Sequence, residues 1–91
     1  MGHTKPAMLS DLGAELSFVR ELVNLKEKST GVFYYKSFPF LHFHDKDGVR
    51  WADVKCKDGS WLRLDIDFKA KASVKVNFIK AVKKAHLLFL K

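Results

Sequence analysis

The spacing of apolar residues changes twice along the chain. Leu12, Leu16, Val19 and Val23 recur at helical intervals, flanked by Phe18, Leu22 and Leu25. Gly13, Ser17, Arg20, Glu21, Asn24 and Lys28 fall on the opposite side, which gives an amphipathic helix with a wide buried stripe. Ser10 and Asp11 stand in front of it as N-cap candidates. Lys26 and Lys28 occupy its last turn and Gly31 follows, a normal C-terminal signature. Residues 1–9 are expected to form a flexible lead.

Between Gly31 and Phe68 the period becomes two. Four runs rich in aromatic and β-branched residues, GVFYYK, FPFLHFH, VRWADVKC and WLRLDIDF, are separated by turn chemistry. DKDG (residues 45–48) and KDGS (residues 57–60) both contain Asp-Gly, a strong hairpin signal. The break at Lys36-Ser37 is weaker, and Pro39 suits an edge or a strand entry.

Helical spacing returns from about Ser73 to Leu90, with Val74, Phe78, Ala81, Val82, Ala85 and Phe89 on one side. Lys80, Lys83, Lys84 and Lys91 share another side, and Leu87 falls among them as an exposed apolar spot. Val74-Lys75-Val76 also fits a sheet extension, with the helix then starting near Asn77. Leu62, Leu64, Ile66 and Phe68, with Ala52, Val54 and Cys56 and then Leu41 and Phe43, offer the apolar sheet face that two helices need. The expected fold is α+β: an antiparallel meander of three to four strands with both terminal helices on one face, in the order α-β-β-β-β-α.

Alternation sends a second set of side chains the other way. These are Phe38, Phe40, His42 and His44 on the second strand, Trp51, Asp53 and Lys55 on the third, and Trp61, Arg63, Asp65 and Asp67 on the fourth. A two-residue turn at Asp47-Gly48 sets His44 opposite Trp51 and His42 opposite Asp53. A three-residue loop at Asp58-Gly59-Ser60 keeps both faces in phase and sets Lys55 opposite Arg63 and Asp53 opposite Asp65. Those like-charged pairs need diagonal partners to be tolerable.

Ninety-one residues make one domain, residues 1–91, and twelve aromatics supply a real core. No apolar run approaches the roughly 20 residues that span a bilayer. The N-terminus lacks the apolar stretch of a secretory signal, and Pro6 breaks the myristoylation pattern. The single cysteine, Cys56, leaves no intramolecular disulfide. A cytoplasmic protein without a membrane association is therefore expected. The net charge of +7 is not spread evenly: the last acid is Asp67, and seven lysines follow it. Such a segment is either a solvated helix face or an attractor of anions.

The side of the sheet turned away from the helices carries the candidate chemistry: Phe40, His42, His44, Trp51, Asp53, Trp61, Arg63 and Asp65. Large aromatics on an open sheet face are costly to leave wet, so a binding or self-association module is expected, with a homodimer or another protein as partner. A nucleic-acid-binding domain using Lys75, Lys80, Lys83 and Lys84 is one alternative, although the absence of Arg among these cations argues against sequence readout. Metal binding by His42, His44 and Asp53 is another, since their types suit Zn, Fe or Mn. A His42–Asp53 acid/base couple is the third, but the face supplies no nucleophile. Catalysis is not expected, and no cofactor is.

The run PFLHFHDKDGVRWADVK over residues 39–55, preceded by FYYK, resembles a segment of small uncharacterised bacterial proteins. That likeness covers about a third of the chain and implies no activity. In element order the chain is also similar to MmcQ/YjbR-like small domains, a resemblance that implies DNA binding without assigning it to particular residues.

Overall fold

A computed structural model describes residues 5–90; the expected lead falls partly outside them, at residues 1–4. A 3₁₀-helix, Pro6–Leu12, runs directly into α1, Gly13–Arg20. Five strands follow: β1 Leu25–Ser29, β2 Val32–Tyr35, β3 Phe38–Lys46, β4 Val49–Lys55 and β5 Trp61–Asp65. The long helix α2, Ala72–Leu90, closes the chain. The sheet is an antiparallel meander in the order β1-β2-β3-β4-β5. The class is α+β as the periodicities imply, but with five strands rather than four.

The fifth strand comes out of the expected first helix. Leu12, Leu16 and Val19 are buried as the helical stripe requires, yet the helix stops at Arg20 and Val23 is exposed. Asn24 then takes a left-handed conformation (φ 69°), which its short polar side chain tolerates and which no helix can pass through. Beyond it the chain turns back to pair with β2, and the Lys36 N–H closes the hairpin on the Asn24 carbonyl at 3.1 Å. Glu27 anchors this edge: it accepts from Arg20 at 2.6 Å and from the Gly31 N–H at 3.0 Å. Burial pushes the Glu27 carboxyl up, but those two donors outweigh it and hold the group below its ordinary value.

Nor is the start of the chain a loose lead throughout. Leu9 packs into the core, and Gly31 (φ 79°) lies so close that a Cβ there would sit 2.5 Å from Leu9 Cδ1. Ser10 and Asp11 do not cap a helix. Asp11 instead reaches Arg50, whose side chain is completely buried.

Arg50 shares its strand face with Ala52 and Val54, pointing into the core, and every N–H of its guanidinium has an acceptor. Nε donates to the Ile66 carbonyl at 2.8 Å; Nη1 donates to the Met8 carbonyl and Asp11 Oδ1, both at 2.7 Å. Nη2 donates to Asp11 Oδ2 at 2.9 Å and to the Asp67 carbonyl at 3.0 Å, and Phe68 lies 4.7 Å beneath the group. One side chain thus ties the 3₁₀-helix to the link between β5 and α2.

The core lies between the sheet and the helices. Phe33, Leu41, Phe43, Ala52 and Val54 meet Leu12, Leu16 and Val19 from the N-terminal helices and Phe78, Val82 and Ala85 from α2. His86 is buried with them and donates from Nε2 to the Val23 carbonyl at 2.7 Å. Leu62, expected beneath a helix, is 43% exposed because α2 leaves the outer edge of β5 uncovered. Leu64 is half-buried, and β5 ends at Asp65 rather than at Phe68. Among the described residues no helix is long and apolar enough to cross a membrane.

Candidate functional site

The hairpin of β3 and β4 forms in the register that the sequence predicts. Asp47 and Gly48 both have positive φ (53° and 79°), the geometry of a two-residue turn that matches strand twist. Lys46 pairs with Val49, His44 with Trp51 and His42 with Asp53. Leu41, Phe43, Ala52 and Val54 point to the helices, so the imidazoles, Trp51 and Asp53 emerge on the far side.

The β4–β5 register is shifted from expectation. The three-residue loop consists of Lys57, Asp58 and Gly59, one position earlier, and Cys56 N–H donates across it to the Ser60 carbonyl at 2.8 Å. Gly59 supplies the positive φ (92°), and Asp58 accepts from Ser60 N–H at 2.9 Å and Ser60 Oγ at 2.6 Å. The pairs become Lys55–Trp61, Asp53–Arg63 and Trp51–Asp65. The like-charged pairs expected from a loop at residues 58–60 do not form. Opposite charges and cation–ring pairs replace them, which is the favourable choice.

Six side chains then stand in a continuous row over the open face. Lys55 Nζ sits 4.4 Å from the Trp61 ring centre, and Trp61 lies 4.7 Å from His42. His42 and His44 meet edge to face at 4.5 Å, His44 lies 5.5 Å from Trp51, and the Arg63 guanidinium covers Trp51 at 4.3 Å. Asp53 is at the centre: its Oδ2 is 3.5 Å from His42 Nε2 and 3.2 Å from His44 Nε2. These three side chains are only 16–23% exposed, whereas Trp61 is 40% exposed at the rim. The arrangement can hold a cation between two imidazoles and a carboxylate, and it leaves the partly exposed Trp61 and the flanking cations to meet a partner.

Two expected members of this face are elsewhere. Phe40 is fully buried on the helix side, 5.8 Å from Phe89 and 6.2 Å from His86, and Phe38 lies 5.3 Å from Phe89. A β-bulge causes this: Phe33 pairs with Leu41 and Tyr34 with Pro39, which leaves Phe40 as the extra residue. Phe40 and Leu41 therefore both enter the core, and parity inverts before them. Asp65 does stand near the row, where it accepts from Arg63 Nε at 2.8 Å and orients that guanidinium over Trp51.

The lysines lie on the other side of the molecule. Lys80, Lys83 and Lys84 project from α2, while Lys75 is engaged with the Asp11 carbonyl at 3.0 Å. The rings and these cations therefore do not form one surface. Cys56 is half-buried at the end of β4 and lines a groove with Leu62, Ala81, Ala85 and Leu88, so it offers no nucleophile to the imidazoles. Sequence reasoning missed the structural use of Arg50 and His86. Arg50's shared parity with Ala52 and Val54 was the available signal.

No protein-family model, no curated protein and no solved structure matches the chain.

Proposed function

We propose that the protein is a non-catalytic binding module that associates through the open face of its sheet, with a second copy of the chain as the partner that needs no further component. The observation that carries this is the uncovered row of Trp61, His42, His44 and Trp51, flanked by Lys55 and Arg63. Tryptophan and arginine together are the residue types that dominate association energies at protein interfaces. Charge favours a self-contact there as well. Lys55 and Arg63 on the face are balanced by Asp53 and Asp65, while the lysines behind the net charge of +7 lie on α2 and near it. Two copies can therefore meet through this face with the lysines of α2 apart.

The double variant Trp51→Ala/Trp61→Ala is expected to weaken association at least about tenfold, from the loss of two interface anchors. Light scattering across a concentration series, beside a denaturant titration, reads this. Unchanged association with a collapse of stability would place the indoles in the core and overturn the proposal. A wild-type protein that stays monomeric at every concentration would remove the second copy as partner.

A further inference from the structure

The centre of this face has the geometry of a metal site. We infer that His42, His44 and Asp53 bind a divalent first-row transition ion of the zinc type; the inference deepens the reading of the open face as the working surface and rests on it.

The distances carry the inference. A tetrahedral ion with metal–nitrogen and metal–oxygen bonds of about 2.0–2.1 Å holds its ligand atoms about 3.3 Å apart. His42 Nε2 and His44 Nε2 stand 3.5 and 3.2 Å from the same Asp53 Oδ2, on either side of that edge length. The same spacing serves imidazole N–H contacts to the shared carboxylate oxygen when no ion is bound, so a metal would replace those contacts rather than enter an unoccupied gap. Each of the three residues offers one ligand atom, and these all lie within 4.8 Å of one another.

Backbone register makes the grouping rigid. His42 and His44 alternate on one strand, and Asp53 is the direct cross-strand partner of His42 in a hairpin pinned by Asp47-Gly48. Two imidazole nitrogens and one carboxylate oxygen suit zinc, cobalt, nickel or copper better than magnesium or calcium, which prefer all-oxygen shells. Trp61 and Trp51 wall the site on both sides, 4.7 Å from His42 and 5.5 Å from His44. Three protein ligands would leave a fourth position of a tetrahedral ion to water or to another donor. A side chain of the associating partner is one such donor.

Isothermal titration of metal-free protein with zinc chloride tests this, with the ligand-field spectrum of added cobalt as a second readout. One ion per chain is expected. His44→Ala and Asp53→Asn should each weaken binding at least about 100-fold, because even removal of an outer-shell partner costs 10- to 100-fold. Lys80→Ala, on the far side, should bind as the parent does. Nitrogen-detected spectra of the parent protein give the same answer without a substitution: zinc should shift the ring nitrogens of His42 and His44 and leave those of His86 in place. No binding by the parent, binding unaffected by both ligand substitutions, or shifts confined to His86 would each overturn the inference. Failure here is separable from failure of the association face: zinc reads the first, and the tryptophan double variant reads the second.

Discussion

Replacing Arg50 with methionine is expected to destabilise the fold by at least about 3 kcal/mol, within the range seen when one partner of a buried ion pair is removed. For a domain of this size that corresponds to a fall in melting temperature of about 12 °C or more. The size follows from what the guanidinium satisfies: three carbonyls, of Met8, Ile66 and Asp67, and both oxygens of Asp11. Methionine fills much of the volume but leaves those acceptors without a donor. Arg50→Lys should recover little, because a point ammonium cannot reproduce a planar fork with five donors.

The same network sets part of the acid response. The hydrogen bonds from Arg50 hold the Asp11 carboxyl below its ordinary value, against the opposing effect of burial. A carboxyl whose folded value is depressed contributes stability above its unfolded value, and that contribution is lost as pH falls through the folded value. The parent protein should therefore lose stability on acidification more steeply than Asp11→Asn. Glu27 and Asp58 are also held low, by their own partners, and remain in both proteins, so the difference between the two curves isolates Asp11. Thermal melts from neutral pH down into the acid range measure it; parallel curves would contradict the assignment.

The second large effect falls on Phe40. Its truncation to alanine is expected to cost about 3–5 kcal/mol, the usual range for a fully buried phenylalanine. It fills the space among Phe89, His86 and Tyr35 under the C-terminal half of α2. Trp61→Ala, at the exposed rim, should cost far less in the same denaturant titration. Reversed magnitudes would mean that β3 lacks its bulge and that Phe40 stands on the open face.

That bulge also shows where the sequence stops being informative. Alternation alone puts Phe38 and Phe40 with His42 and His44, and the inserted residue that separates them leaves no mark beyond a proline at position 39. The β3–β4 hairpin was legible because Asp47-Gly48 fixes the turn and the alternation on both sides agrees with it. In the next hairpin the Asp-Gly pair was equally visible, but whether Ser60 belongs to the loop or the ladder depends on cross-strand partners that only the fold brings together. The shift by one loop position decides whether Asp53 faces Asp65 or Arg63.

At the N-terminus the misleading signal was physical rather than statistical. Leu22 and Leu25 continue the helical spacing of Leu16 and Val19, and Lys26 and Lys28 mimic a last turn. The left-handed Asn24 and the pairing of β1 with β2 prevail over that local preference. Asp11 illustrates the converse case. An acid before an apolar run reads as a cap, whereas here it neutralises an arginine 39 residues further along.

A dilution series of backbone and indole amide spectra tests most directly whether the sheet's ring-bearing side is where the molecule engages its partner. Signals of the Trp51 and Trp61 indoles and of His42, His44 and Asp53 should move together as concentration rises, with those of Lys80, Lys83 and Lys84 fixed. Movement confined to Leu62, Leu88 and the rest of the groove between β5 and α2, with both indoles unperturbed, would contradict the account.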